Sequence, residues 1–226
     1  MSGRIWGALA LAMATTGTAA AQDRVSIMVA DVKIEAPMPE GYCLPTGKDK
    51  VVTDLVAAAD TENLTHASLV RCDRVGKPGG LGNDYYLIKT PRRVLLASVS
   101  RPELLAALEK EFGKAEWQAG GRASTEVSKK VNEDLTETFS SPVEVKGDFS
   151  GRGADSDCAY LGGEAIVSLG GITYPIQAGA CMTSVSNKMI IVYTYDDPKG
   201  TDGVVRLMRK AQALAMAFRP AAGDKP

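Results

Sequence analysis

Between Cys158 and Thr183, apolar residues recur at every second position on both sides of Ser168-Leu169-Gly170-Gly171. Strand side chains alternate between the two faces of a sheet, so this pattern predicts a hairpin. In the first arm, Ala159, Leu161, Ala165 and Val167 form the apolar face, and Cys158, Tyr160, Glu164 and Ser168 the opposite one. In the second arm, Ile172, Tyr174, Ile176, Ala178, Ala180 and Met182 share the apolar face, while Thr173, Gln177, Cys181 and Thr183 share the other. A four-residue loop that pairs Val167 with Ile172 sets Ala165 opposite Tyr174, Leu161 opposite Ala178 and Cys158 opposite Cys181. Directly opposed residues lie about 4.5–5.5 Å apart at Cα, within reach of a disulfide. A one-residue slip would send every apolar side chain to the wrong face. Pro175 and Gly162-Gly163 are the places where a bulge would shift this register.

The same reading extends along the chain. Val32 to Ile34 leads into the turn-rich Pro37-Met38-Pro39-Glu40-Gly41. Asp49 to Ala59 reads as a helix with Val51, Val52, Leu55, Val56 and Ala59 on one stripe. Ala67 to Cys72 and Tyr85 to Lys89 read as strands, with Val94 to Val99 a further candidate, and Lys77 to Asp84 as a glycine-rich loop. Ser100 and Glu103 form a capping box around Pro102, opening a helix that carries Leu104, Leu105, Leu108 and Phe112. Gly120-Gly121 breaks the chain before a polar helix, Thr125 to Phe139, whose thin stripe of Val127, Val131 and Leu135 predicts a peripheral position. Val143 to Val145 starts a strand, and Gly147 to Asp157 reads as a connector rich in glycine and aspartate. Lys188 to Tyr195 is apolar at both parities, as a central strand is. Asp202 to Phe218 closes the chain as a helix, with Val204, Met208, Ala211, Ala215 and Phe218 on its stripe, before a loose tail from Pro220 to Pro226.

Mixed strands and helices, then an antiparallel meander and a closing helix, without βαβ alternation, predict an α+β fold: an antiparallel sheet flanked by helices. The segment Pro39-Glu40-Gly41-Tyr42-Cys43, the strand ending at Cys72, and the meander with its terminal helix give an order of elements that resembles the Mog1/PsbP-like α/β sandwich of bacterial exported proteins. That resemblance covers most of the chain after residue 21 as an order of elements and carries no catalytic motif. It implies a binding or assembly module, by analogy of fold alone.

Composition narrows the picture. Arg4, the apolar run Ile5 to Ala14 and the small residues up to Ala19-Ala20-Ala21 have the order of a cleavable export signal, 1–21, with cleavage after Ala21. The expected destination is the periplasm or the medium, and 22–219 is expected to form one domain. A formal net charge of −1 argues against a general nucleic-acid binder. No stretch after the leader is apolar and long enough to span a bilayer as a helix. The four cysteines, Cys43, Cys72, Cys158 and Cys181, lack both C-x-x-C and the close ligand pairs of a zinc site, so two disulfides are expected. The hairpin assigns Cys158–Cys181, and Cys43–Cys72 follows by elimination.

Catalytic chemistry finds little support. His66 is the only histidine, and no Gly-x-Ser-x-Gly elbow is present. Gly80-Leu81-Gly82 lacks both the third glycine and the following helix of a nucleotide loop, so no cofactor is expected. Asp155 and Asp157, with Asp196 near the end of the neighbouring strand, are the best acidic constellation. They support a carboxylate-based or calcium-dependent hydrolase as the alternative function. Flanking aspartates also serve to make turns. Tyr85 and Tyr86 are candidates to line a ligand groove, and Arg92 and Arg93, beside Lys89, an anion site. The leading expectation is a non-catalytic binding or envelope accessory module whose partner is a small molecule or an envelope protein.

Overall fold

The chain's period-two segments assemble into two antiparallel sheets, and its helices lie against the larger one. A computed structural model describes residues 23–221, with the backbone alone for 122–124 and 127. The proposed leader 1–21 and the tail beyond Ala221 lie outside the described residues. The first sheet contains β1 (Arg24–Val29), β2 (Val32–Pro37) and the two-residue β10 (Arg219–Pro220), in the order β1-β2-β10. The second has seven strands: β3 (Tyr42–Cys43), β4 (Asn63–Arg71), β5 (Tyr85–Pro91), β6 (Val143–Ala154), β7 (Ala159–Leu169), β8 (Ile172–Val185) and β9 (Lys188–Asp196). Their order is β3-β4-β5-β9-β8-β7-β6. The helices are α1 (Gly47–Ala59), α2 (Arg101–Phe112), α3 (Arg122–Phe139) and α4 (Gly203–Ala217). The expected α+β class with its C-terminal meander and closing helix is therefore present.

Both faces of the seven-stranded sheet are buried. On one face Leu69, Tyr86, Ile88, Ile190 and Val192 pack with the Cys158–Cys181 bridge against Ala211, Leu214, Ala215 and Phe218 of α4 and against Val25, Ile27, Val29 and Ile34 of the small sheet. On the other, Ala159, Ala180, Met182, Met189 and Ile191 meet Leu104, Leu105 and Phe112 of α2. β9 is apolar at both parities because it lies between β5 and β8 with a layer on each side. The capping box of α2 forms as the sequence predicts: Ser100 accepts from the Glu103 amide, and Glu103 accepts from the Ser100 amide.

The hairpin forms with the predicted faces but in a different register. Leu169 pairs with Ile172 and Tyr160 with Cys181, across Gly170-Gly171, both of positive φ. The strands thus run to a two-residue turn, whose positive φ values glycine supplies without strain. The shift from the expected pairing is two residues, which leaves every side chain on its face. Cys158 and Cys181 are bonded as diagonal neighbours, with Cα atoms 5.3 Å apart. No bulge occurs at Gly162-Gly163 or Pro175; β7 and β8 pair without interruption.

Four other expectations change, and one strand comes in addition. The glycine-rich 147–157 segment is mostly strand: β6 runs to Ala154. A Cβ on Gly147 would lie 2.5 Å from Ala165 Cβ, and one on Gly151 2.8 Å from Phe112 Cβ, so these glycines permit close packing. Residues 94–99 form no strand; Arg92–Val94 is a 3-10 turn. Pro220 is not part of a loose tail, because β10 pairs with β2 and the Ala221 amide donates to Lys33 O. β1 was not anticipated, although Val25, Ile27 and Val29 alternate inward. Finally, Val51, Val52 and Leu55 of the α1 stripe face solvent, while Val56 is half-buried and Ala59 buried.

Candidate functional site

α1 has the apolar residues of a packed helix but leaves three of them exposed. Val51 is 59 % exposed, Val52 49 % and Leu55 47 %, while Asp49 and Ala59 are its buried residues. The helix is held at its ends. Asp49 Oδ2 accepts from the Gly76 amide at 2.5 Å, taking an acidic side chain inward. Beyond the C-terminus, Asp60 accepts from the Asn63 amide at 2.9 Å and from Lys89 Nζ at 2.6 Å. Burial works against the Asp60 charge, yet Lys89 and Asn63 outweigh it and hold the carboxyl below its ordinary range. These anchors fix the rotation of α1 and leave residues 51, 52 and 55, which share one helical face, in solvent. α2 instead buries Leu104 and Leu105, and α4 Leu207 and Leu214. Val131 of α3, which packs beside α1, is a further exposed aliphatic at 36 %. The Lys50–Asp54 pair and the neighbouring Lys48 and Asp49 leave α1 with no net charge.

A cluster of titratable groups joins β3, the start of β5 and α4. The Tyr42 phenol donates to Asp84 Oδ1 at 2.5 Å and accepts from Lys210 Nζ, which also reaches Asp84 at 2.7 Å. The Lys210 ammonium lies 4.7 Å from the centre of the Tyr42 ring and 5.0 Å from that of Tyr86. Burial and the Asp84 carboxylate push the Tyr42 phenol far above its ordinary range, so it stays protonated and donating. The arrangement locks the β3 segment to α4; it does not activate a nucleophile.

The sequence-derived candidates are dispersed. Asp155 closes a turn: its Oδ1 accepts from the amides of Asp157 and Cys158, both at 2.8 Å, and its Oδ2 from Tyr160 at 2.7 Å. It thereby positions Cys158 for the bridge. Asp157 accepts from Gln212 at 3.1 Å and lies 3.9 Å from Arg101. Asp196 is buried against Lys199 and Arg206 at 2.8 and 3.2 Å. Asp196 pairs with Gln177, whereas the Asp157 carbonyl accepts from Thr183. Gln177 and Thr183 are six positions apart on β8, about 20 Å at ~3.3 Å per residue. The three carboxylates therefore do not converge, which corrects the hydrolase alternative. Among the described residues, no three His, Cys, Asp or Glu side chains gather to hold a metal ion.

Tyr85 and Tyr86 point to opposite faces of β5 and cannot line one groove. Tyr86 packs against Tyr42, and Tyr85 stacks on Tyr195 at 4.6 Å. Arg92 and Arg93 are exposed on the 3-10 turn, and Lys89, expected to join them, is committed to Asp60. His66 sits at the register shift of β4, with Nε2 2.9 Å from Thr90 Oγ1, and burial lowers its proton affinity. An open cleft of about 620 Å³ is lined by Arg101, Asp157, Ser184, Phe218 and Arg219 among others. The expected tyrosine-lined groove is not formed by Tyr85 and Tyr86.

Cys43 and Cys72 are unbonded thiols in the structure, in place of the expected second disulfide. They are nonetheless neighbours: Cys43 pairs with Val70, two residues from Cys72, and the Cys72 amide donates to Gly41 O at 3.0 Å.

Neither a protein-family model nor a curated protein matches the chain. Among solved structures, the chain is similar to the solution structure of cyanobacterial PsbP (CyanoP) from Synechocystis sp. PCC 6803. Identity is 12%, the match covers 92% of this chain and 98% of that one, and the TM-score is 0.41. The PsbP-like resemblance is thus a weak likeness of fold.

Proposed function

We propose that this chain is an exported, non-catalytic accessory module that docks an envelope protein through the outward face of α1. The carrying observation is the exposure of Val51, Val52 and Leu55 on one face of a helix anchored at both ends. Exposed apolar residues grouped on one element mark interaction surfaces, whereas scattered ones do not. The face is convex, so it suits packing against another protein, as an amphipathic helix does in a groove, better than enclosing a small molecule. The balanced charge of α1 disfavours an anionic membrane surface, which draws helices rich in lysine and arginine. Among the described residues, no helix is long and apolar enough to cross a membrane. The leader-like 1–21 segment supports the export part of the reading.

Photo-crosslinkers placed at Val52 or Leu55 in exporting cells test the proposal, with Ile172, also exposed, as the control position. A discrete adduct is expected from α1 and none from Ile172. The captured protein, once purified, should bind a Leu55→Asp variant at least about tenfold more weakly than wild type. Equal crosslinking from all three positions, or unchanged affinity, would remove the docking reading. N-terminal sequencing of the exported protein should begin at Gln22; a chain retained in the cytoplasm with Met1 intact would remove the export reading.

A further inference from the structure

We infer that Cys43 and Cys72 form a redox-closable pair, entered through Cys72, whose closure ties down the loop that carries α1. The geometry supplies the pair. β3 and β4 are antiparallel with Cys43 opposite Val70, so Cys43 and Cys72 lie on one face as diagonal neighbours. The Cys158–Cys181 bridge shows that a diagonal cysteine pair in this sheet can bond, although its two-residue offset runs in the opposite sense along the strands.

The two cysteines differ in access. Cys72 is exposed, and Cys43 is partly covered. Burial, with the Cys72 sulfur beside it, pushes the Cys43 thiol up to about 12, so it is almost wholly protonated at neutral pH. The thiolate is the attacking species, and Cys72, the exposed one of the two, is the one an oxidant reaches first. Its thiolate attacks one sulfur of an oxidised protein dithiol of the thioredoxin type, forming a mixed disulfide and releasing the oxidant's other sulfur as a thiolate. The Cys43 thiol, deprotonated as it is drawn in, then attacks the Cys72 sulfur and expels the oxidant's second sulfur. Two cysteine thiols become one disulfide, the oxidant's disulfide becomes a dithiol, and its two sulfurs take up the two protons released.

The loop so closed contains all of α1 and β4. α1 buries only Asp49 and Ala59, so its position depends on end anchors that a covalent tie would reinforce. Tyr42, adjacent to Cys43, is locked to Asp84 and Lys210, so the bridge would join the α1 loop to α4 through the β3 segment. The pairing stands on the sheet geometry alone; its relevance to docking rests on the function proposed above.

The test uses the full exported chain, mildly reduced so that Cys158–Cys181 stays intact, and glutathione disulfide as oxidant. Peptide mapping should show Cys43 joined to Cys72. A Cys43→Ser variant should stop as the Cys72–glutathione mixed disulfide, and in Cys72→Ser the Cys43 thiol should react at least about tenfold more slowly. Closure should raise the thermal midpoint by roughly 5–10 °C and slow amide exchange across Lys50–Ala59. The pair is overturned if both single variants react alike, or if wild type accumulates Cys72–glutathione without closing. Unchanged exchange in α1 after closure overturns the tether. These readouts need no partner, so a failed crosslinking experiment and a failed closure experiment are distinguishable.

Discussion

A single methyl group at Gly179 tests how α4 is seated on the sheet. Gly179 pairs with Gly162 across β7 and β8, and α4 lies over both. A Cβ at Gly179 would lie 2.5 Å from Met208 N and 2.8 Å from Leu207 C, both helix backbone atoms. Ordinary contact begins near 3.4 Å, so α4 would have to withdraw by about 1 Å. That movement would loosen Leu207, Ala211, Leu214 and Ala215 from the core and strain the Thr194 hydroxyl, which donates to Leu207 O at 2.8 Å. Overpacking of this kind costs ~1–3 kcal/mol, against which the reduced freedom of the unfolded alanine chain returns about 0.4–1 kcal/mol. Gly179→Ala should therefore lose about 1–2 kcal/mol in urea titration, or roughly 2–8 °C in thermal midpoint. Gly162→Ala is the internal control. Its Cβ would also meet a close neighbour at 2.5 Å, but that neighbour is Val204 Cγ1, a side-chain end that can rotate, and the other contacts are at 3.4 Å. It should cost less than about half as much. If Gly179→Ala proved as stable as Gly162→Ala, the direct seating of helix backbone on strand glycine would be refuted.

Removing the buried bridge with Cys158→Ala and Cys181→Ala together should cost about 3 kcal/mol, given a sequence separation of 23, and equilibrium unfolding in urea checks it. His66 predicts a pH dependence. Burial lowers its folded pKa below 6.5, so the unfolded chain binds the proton first. The stability contributed by the neutral ring is thus full above pH 6.5 and lost as pH falls toward the folded value; His66→Gln should flatten the urea midpoint between about pH 7 and 5. Asp60 and Asp84, both held below the ordinary carboxylate range, should lose their contributions only at lower pH, below about 4. Tyr42→Phe removes the phenol between Asp84 and Lys210 but leaves their 2.7 Å pair, and should cost about 1 kcal/mol by calorimetry. Leu55→Asp should change stability by less than about 0.5 kcal/mol in the same assay, because the side chain it replaces is already half exposed.

What the sequence made legible was periodicity, and what it hid was rotation and range. The stripe on α1 was visible, but which way it faces depends on Asp49 meeting Gly76 and Asp60 meeting Lys89, contacts across 27 and 29 residues. A helical stripe is ordinarily read as a core face, and with those distant anchors this one buries Ala59 and leaves Val51, Val52 and Leu55 outward. The β6 strand was hidden for a related reason. Gly147 and Gly151 read as loop residues, yet they are glycines because Ala165 and Phe112 occupy the space a side chain would need. The Tyr42–Asp84–Lys210 lock is equally out of sight in the sequence, since its members are 42 and 126 residues apart along the chain.

The hairpin shows why parity is the more secure part of a strand assignment. The expected loop of four residues and the observed turn of two differ by a shift of two in pairing. An even shift conserves the face of every residue, so the apolar set still meets α2 and Cys158 still meets Cys181. Finding that bridge therefore cannot discriminate between the two registers, because this diagonal pair brings its Cα atoms to 5.3 Å, as close as directly opposed residues come. The register is decided by the turn, where Gly170 and Gly171 both take positive φ and close the strands in two residues. The same reasoning bears on Cys43 and Cys72. Parity places them on one face, which makes closure geometrically available, and the diagonal offset together with the covered Cys43 thiol makes closure depend on an oxidant reaching Cys72 first.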